Sequence, residues 1–230
     1  MKEFMENKAE IPPVQEYSQP AENQEYSLDT ALNAFKEFES ETDAKIIEAS
    51  IAETKEKLSV REYGVKECCD AAKEVFTKEV LAEWGKMTEK QREIKVTEYS
   101  AKIGKGLNID FKGIVYEKMA PNTAGYNKGD GRIFLNKELL KHPGGVGHII
   151  DTVAHEARHQ MQSEAIKNPE KFGADKATVK EWKFATETYT QEFANAKDPW
   201  GYYYNALELD ARYFGETVVR ELRKDIINKV

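Results

Sequence analysis

The chain has 230 residues and a formal net charge of −7, so it is not expected to bind a nucleic-acid backbone, which requires clustered Lys and Arg. It contains no apolar run long enough to cross a membrane, and its first residues lack the apolar core of a signal peptide. A hydrophobic content of 40% can support the core of one sizeable domain. We therefore expect a cytoplasmic protein that does not bind membranes, and export by a route that reads no N-terminal signal stays open.

The first half of the chain is predicted to be a flexible arm followed by a helical region. Residues 1–26 contain three of the seven prolines and few apolar residues, so they cannot bury enough surface to offset the entropy lost on ordering. Residues 27–106 then carry helical patterns, beginning at Ser27, which is placed to act as an N-cap. Further helices are predicted at about 41–58, at about 66–84, and from Thr88, the N-cap of the next helix.

The hydrophobic period changes in the middle of the chain. The segments LNIDFKGIVYEKM (107–119) and GRIFLN (131–136) alternate in polarity and contain β-branched and aromatic residues, which predicts strands. The segment between them is rich in turn formers. We therefore predict a small sheet of two or three strands.

Helices are predicted from the end of this sheet to the end of the chain. A short helix over residues 137–142 is expected to stop at Pro143. Three longer helices are predicted at about 148–167, 175–196 and 205–228. The expected fold class is α+β, mostly helical with a small central β-sheet, in which residues 107–230 form the second region.

The segment DTVAHEARHQMQ contains an H-E-x-x-H motif made of His155, Glu156 and His159. Residues four apart lie on the same face of a helix, so both imidazoles can point at one metal ion. Glu156 lies about 100° further round the helix, beside the ion. A zinc hydrolase requires such a pair of nitrogen ligands and a carboxylate that can accept a proton. The alternative is a solvated helix face that carries two histidines by chance.

The helix that carries the motif is predicted to be amphipathic. A stripe of apolar residues occupies one face, and the two motif histidines lie on the opposite face among other polar residues. The stripe consists of Ile150, Val153, Ala157 and Met161, and the polar face also holds His148, Thr152 and Gln162. One face is therefore expected to pack on a core and the other to line a cleft, although a surface helix shows the same division.

A catalytic zinc site needs a third protein ligand, and the segment NALELDARYFG near the end of the chain offers two acids. We favour Glu208, because Ala211 and Gly215 follow it on the same helix face and allow a close approach to the motif helix. Asp210 points about 160° away from Glu208 and is the reserve candidate. The remaining histidines, His142 and His148, are expected to lie outside the site.

The segments HEARHQMQ and YYNALELDARYFG together resemble the zincin metallopeptidases, and specifically their Glu-ligand branch, the gluzincins. The chain looks most similar to the small H-E-x-x-H…E-x-x-A peptidases of bacterial and phage-borne proteins. The resemblance covers residues 107–228 and implies a minimal zincin-like catalytic core with one Zn²⁺ ion. It implies that His155, His159 and Glu208 bind the zinc and that Glu156 is the catalytic general base.

The resemblance also implies how substrate is held. Zincins bind an extended substrate along an edge strand that precedes the motif helix, and Ile133, Phe134 and Leu135 of GRIFLN stand in that position. A donor to the oxyanion that develops during hydrolysis is also expected. Tyr202, Tyr203 and Tyr204 precede the ligand helix and are candidates for this role, with Tyr203 named as the donor, and the alternative is that these tyrosines pack beside Trp200.

One position departs from the gluzincin pattern. Many gluzincins place an Asp four residues after the ligand Glu, where it orients the first His, and this chain has Arg212 there. The orienting acceptor must then come from elsewhere, and Asp151, one helical turn before His155, is a candidate. Arg158 is expected either to bind substrate or to pair with Asp151, and the pairing is favoured.

The predicted function is hydrolysis of peptide bonds in a protein or peptide substrate, with a zinc-activated water and Glu156 as the base. A role as a toxin, effector or phage-associated protease rests on analogy alone. The alternative is a helical adaptor or phage assembly protein with a structural or vestigial zinc site. A deformylase-like amidase is disfavoured, because Cys68 and Cys69 lack the setting of its Cys ligand.

Overall fold

The computed structural model describes residues 27–35, 58–120, 123–194 and 205–228. The first helix, α1, spans Leu28–Ala34. Ser27 caps this helix as predicted, because its Oγ accepts a hydrogen bond of 3.2 Å from the backbone N–H of Thr30. The predicted arm and nearly all of the helix predicted after α1 lie outside the described residues.

Four helices follow in the region that was predicted to be helical. They are α2 (Leu58–Arg61), α3 (Val65–Val75), α4 (Lys78–Glu83) and α5 (Glu89–Gly106). The helical pattern predicted up to residue 84 is interrupted at Thr77, whose side chain accepts a hydrogen bond from the N–H of Val80 and starts α4. Thr88 caps α5 as predicted, and Gln91 completes a capping box with it.

A mixed sheet of three strands follows α5. The strand β1 (Gly113–Glu117) pairs in parallel with β3 (Arg132–Asn136), and β2 (Gly125–Asn127) pairs antiparallel with the other side of β3. The order across the sheet is therefore β1-β3-β2, with β3 in the centre. The strand β2 lies inside the segment that is rich in turn formers, between the two strands that the sequence predicted most clearly.

The predicted strand at 107–119 begins too early. Leu107 is the C-cap of α5, and Asn108 adopts a left-handed conformation with φ 51°. The N–H of Ile109 then bonds back to the carbonyl of Gly104 at 3.1 Å. These contacts close the end of the helix, so the strand starts only at Gly113.

Three long helices complete the described fold. A 3₁₀-helix over Lys137–Lys141 replaces the predicted short α-helix, and a second 3₁₀ turn at Pro143–Gly145 leads out of it. The long helices are α6 (Val146–Lys167), α7 (Lys176–Ala194) and α8 (Ala206–Asn228). Their bounds agree closely with the predicted ones, and the predicted α+β class, mostly helical with a small sheet, is confirmed.

The motif helix α6 lies at the centre of the hydrophobic core. Its predicted apolar stripe is completely buried, with no exposed surface on Ile150, Val153, Ala157 or Met161. The same core includes residues that precede the sheet, among them Val60, Tyr99 and Ile103. The described helices before the sheet therefore complete the core around α6. None of the helices in the described ranges has the length and apolar content that a membrane crossing needs.

The last helix, α8, crosses α6 at very short range. A Cβ atom on Gly215 would lie closer than 3.0 Å to Oδ1 and 3.0 Å from the carbonyl oxygen of Asp151, so a larger residue there would force Asp151 or the helices to shift. Ala211, one turn earlier, is also buried at the contact and is small. Both residues bring the first turns of α8 against the polar face of α6, as the sequence predicted.

Candidate metal centre

Three side chains from α6 and α8 converge on one point. Nε2 of His155 and Nε2 of His159 lie 3.0 Å apart, and each lies 3.3 Å from one oxygen of the Glu208 carboxylate. Within the described part of the chain, these residues form the one group of His, Cys, Asp and Glu side chains that could hold a metal ion. The structure therefore brings together the three candidate ligands that the sequence indicated, His155, His159 and Glu208, which are called the metal group below.

The carboxylate of Glu208 is buried but not fully satisfied. Its side chain is 2% exposed, and its Oε2 atom lies 3.3 Å from His155 without hydrogen-bond geometry. A buried carboxylate oxygen without a partner is costly unless it meets a cation. The two histidine side chains are 16% and 19% exposed, so an ion can reach the group from their side. Two imidazoles and one carboxylate in this arrangement fit a divalent metal ion.

The charges in this group interact strongly. Burial alone lowers the pKa of His159, but the charge and hydrogen bonding of the Glu208 carboxylate outweigh burial and raise that pKa to about 9. Burial acts to raise the pKa of Glu208, and the two histidines outweigh it and hold that pKa below its ordinary value. In the metal-free protein, a protonated His159 therefore pairs with an ionised Glu208.

Glu156 lies on α6 next to His155 and lines the same cleft, with 7% of its surface exposed. Burial raises the pKa of Glu156, and the Glu208 carboxylate adds to the rise, while His155 and His159 oppose it. A carboxyl group with a raised pKa is suited to accept a proton and to return it near neutral pH. Glu156 thus has the burial and the surroundings that a general base requires.

A chain of buried hydrogen bonds extends from the second histidine. Nδ1 of His159 lies 2.9 Å from Oε1 of Gln162, and Nε2 of Gln162 donates to Oδ2 of Asp210 at 2.7 Å. Arg158 is completely buried and donates to both carboxylate oxygens of Asp210, at 2.8 and 3.1 Å. Asp210, the reserve ligand, is held by these bonds and is not part of the metal group.

The expected pairing of Arg158 with Asp151 is wrong. The close approach of α8 brings Asp210 to the guanidinium group of Arg158 instead. Asp151 lies against α8 with a buried Oδ1 that has no hydrogen-bond partner. Burial raises the pKa of Asp151 to about 6, while the charges of His155 and Arg212 oppose the rise. Its role as the acceptor that orients His155 stays a prediction.

A cleft of about 1120 Å³ opens over the metal group. This volume exceeds the roughly 300–1,000 Å³ of typical small-molecule sites. The cleft is bordered by β2, by the polar face of α6, by part of α7 and by the start of α8. Its lining includes Gly125, Asn127, Thr152, Ser163, Lys183, Glu187 and Leu207.

The strand beside the cleft is β2 and not β3. The expectation that Ile133, Phe134 and Leu135 form an open edge is wrong, because β3 pairs with β1 on one side and with β2 on the other. All three of these side chains are buried. Gly125 allows β2 to pass close to α6, since a Cβ there would lie 2.8 Å from the side chain of Thr152.

The other residues singled out from the sequence do not join the metal group. Tyr203 and the neighbouring tyrosines lie outside the described residues. His142 is exposed at the surface, and neither it nor His148 belongs to the group. Cys68 and Cys69 are free and buried in the core, and burial raises the pKa of Cys69 to about 11. They do not provide the Cys ligand of a deformylase-like site.

No family model, curated protein sequence or solved structure matches this chain. The resemblance to gluzincins therefore depends on the residues of the two motifs. A His-His-Glu group does not by itself define a zincin. The activity has to be inferred from the chemistry of the site.

Proposed function

We propose that this chain is a zinc-dependent metallopeptidase of minimal zincin-like form. One observation carries the proposal: two imidazoles and one carboxylate converge within an open cleft, with the buried Glu156 beside them. This combination provides a metal site, a base and room for a substrate in one place.

The spacing of the three ligand atoms supports zinc. Zinc bonds to His nitrogen and carboxylate oxygen are about 2.0–2.2 Å long, so ligand atoms around a tetrahedral ion are about 3.3–3.6 Å apart. The two separations between His and Glu208 are 3.3 Å and match this spacing, and the two Nε2 atoms, 3.0 Å apart, are about 0.3 Å closer than it. Imidazole ligands also favour zinc over Mg²⁺ and Ca²⁺, which prefer oxygen ligands. Both features support one zinc ion held by His155, His159 and Glu208.

A structural zinc site in an adaptor or assembly protein is the main alternative. Structural zinc sites are closed and have four protein ligands, whereas catalytic sites have three and keep one position open. The described residues provide three ligands, and both histidines are partly exposed to the cleft. These observations favour a catalytic site.

The chain's own residues account for proton transfer during hydrolysis. A zinc ion held here would lower the pKa of a coordinated water and polarise the carbonyl group of the substrate. Glu156 accepts the proton of the attacking water and passes it to the amine that leaves.

The substrate is inferred to be an extended polypeptide that adds to the edge of β2 with which no described strand pairs. The N–H of Asn136 donates to the carbonyl of Ala124 at 2.8 Å, which fixes the alternation of hydrogen-bonded pairs between β2 and β3. Gly125 and Asn127 therefore turn their main-chain N–H and C=O groups away from β3 and toward the open edge. Main-chain bonds of this kind favour protein substrates with modest sequence preference.

Metal analysis tests the first part of the proposal. The purified chain should contain one equivalent of zinc, His155→Ala should lose it, and the control His142→Ala, altered at an exposed histidine outside the group, should retain it. Absence of zinc from the parent protein under zinc-replete conditions would contradict the proposal.

Activity of Glu156→Gln tests the second part. This variant should retain zinc but cleave an unfolded, fluorescently labelled protein at least about 100-fold more slowly than the parent, because the amide cannot accept a proton. Equal rates in parent and variant would overturn the mechanism. A zinc-loaded parent that cleaves no unfolded protein would point to the structural alternative.

A further inference from the structure

A four-residue network links the metal group to the region before the sheet. It consists of His159, Gln162, Asp210 and Arg158, and it is called the Gln162 network below. Its last three members are 1%, 2% and 0% exposed, so water does not compete for their hydrogen bonds. At its far end, Arg158 donates to the carbonyl oxygens of Val60 and Tyr63, at 2.8 and 3.0 Å. The network is therefore fixed at both ends by the fold.

The partners of Gln162 determine which way its amide group faces. Its nitrogen meets two acceptors, the Asp210 carboxylate at 2.7 Å and the carbonyl oxygen of Leu207 at 3.0 Å. The carbonyl oxygen can only accept, and both oxygens of Asp210 already accept hydrogen bonds from Arg158, so the NH₂ group must point toward them. The amide oxygen of Gln162 is then left to face Nδ1 of His159 at 2.9 Å.

The orientation of the Gln162 amide determines which ring nitrogen of His159 carries the hydrogen and which one can bind a metal ion. An amide oxygen only accepts hydrogen bonds, so Nδ1 of His159 must carry the hydrogen that bonds to Gln162. In the neutral ring the lone pair is then on Nε2, the atom that lies 3.3 Å from Glu208. We propose that Gln162, oriented by Asp210, is a positioning residue that fixes the ring and tautomer of His159 for metal binding.

The proposal rests on the proposed metal site and extends it to residues that do not touch the ion. It also explains why an amide stands at this position. A Glu at residue 162 could still accept from His159, but it would place a second carboxylate within 2.7 Å of Asp210 and lose both donated bonds. Gln accepts on one side and donates on the other, which is what its two neighbours require.

The test is the zinc affinity of Gln162→Met, measured by competition with a chromophoric chelator at fixed pH. Methionine has a similar length but cannot hold Nδ1 of His159, so zinc should bind about 10–100-fold more weakly, the usual cost of losing such an outer partner. Gln160→Met is the matched control. Gln160 is also buried on α6, and its side chain bonds to the N–H of Gly131 and to Glu164, neither of which belongs to the metal group. This control should keep the parent affinity.

Two outcomes would overturn the proposal: equal zinc affinity of Gln162→Met and parent, or an equal loss in Gln160→Met, which would indicate general destabilisation.

A measurement on the parent protein covers the case in which Gln162→Met does not fold. In ¹⁵N NMR spectra of the zinc-loaded parent, His159 should bind through Nε2 and show a slowly exchanging Nδ1–H, and binding through Nδ1 would refute the proposal. Failure of peptidase activity in a zinc-binding parent would refute the proposed function and leave this inference intact.

Discussion

The imidazole of His159 connects the metal chemistry of this site to its proton chemistry. Glu208 raises the pKa of His159 to about 9 even though burial opposes the rise. At neutral pH the metal-free protein therefore carries a proton on the histidine that must bind the metal through Nε2. A metal ion can enter only when this proton leaves, since the ligand is the neutral ring. The cluster is thus held together by an ion pair until a cation replaces the proton.

This competition predicts a pH-dependent zinc affinity. The pKa of about 9 lies above the working range, so each unit of pH decrease between 8 and 6 should weaken zinc binding by about tenfold through this one proton. Above pH 9 the dependence should flatten, because His159 is already neutral there. Chelator competition at a series of pH values measures the slope of zinc affinity against pH. The control His142→Ala, altered outside the metal group, should show the same slope as the parent. An affinity that does not change between pH 6 and pH 8 would contradict the raised pKa.

At the scale of single residues, local spacing predicted the site better than it predicted the surroundings. His155 and His159 share a face because residues four apart in a helix lie one above the other. Glu208 could be chosen because the small residues that follow it allow its helix to approach the motif helix closely. The partner of Arg158 could not be found this way. Asp151 and Asp210 were both available in the sequence, and only the crossing of α6 and α8 decides that Asp210 takes the guanidinium group. The same crossing creates the buried setting of Gln162.

At the scale of elements, the long helices were predictable and the edge of the sheet was not. The helices α6 and α8 carry many turns of apolar periodicity, whereas β2 has three residues, too few for an alternating pattern to stand out. Its residues, Gly125–Asn127, also have the composition of a turn. Because the sequence pattern does not reveal β2, it predicts the strongly apolar β3 as the edge strand. The buried side chains of β3 instead suit a central strand, which is covered on both sides.

The assignment of β2 as the substrate edge predicts the effect of Asn127→Pro. The Asn127 N–H points away from β3, so proline should leave the pairing of the sheet intact and remove one donor to the substrate. The loss of one hydrogen bond, about 0.5–1.5 kcal/mol, should raise KM several-fold with zinc content unchanged. Asn127→Ala is the control, because it lacks the same side chain but keeps the N–H. Equal KM values for the two variants would argue against substrate binding along β2.

At the scale of the whole molecule, the described residues on both sides of the sheet depend on each other. The helices before the sheet share the core with α6 and α8, and their role could not be read from the sequence because their apolar faces indicate packing without naming a partner. Arg158 supplies one specific link. Its guanidinium group joins α6 to Asp210 of α8. It also bonds to the carbonyl oxygen of Val60 in α2 and to that of Tyr63, between α2 and α3. The metal group is therefore supported by three segments that are distant in sequence.

Arg158→Met tests this link through stability. The substitution leaves the Asp210 carboxylate buried without its cation and releases the carbonyl oxygens of Val60 and Tyr63, so the metal-free protein should lose about 3–5 kcal/mol of its free energy of unfolding. Urea titration of metal-free protein measures the loss. Lys66→Met, which removes an exposed ion pair with Asp70, should leave the urea midpoint close to that of the parent because water screens that pair. If both variants unfold at the same urea concentration, the buried pair does not hold these segments together. A further loss of zinc affinity in folded Arg158→Met would be expected as well, since Asp210 would no longer be fixed opposite the amide of Gln162.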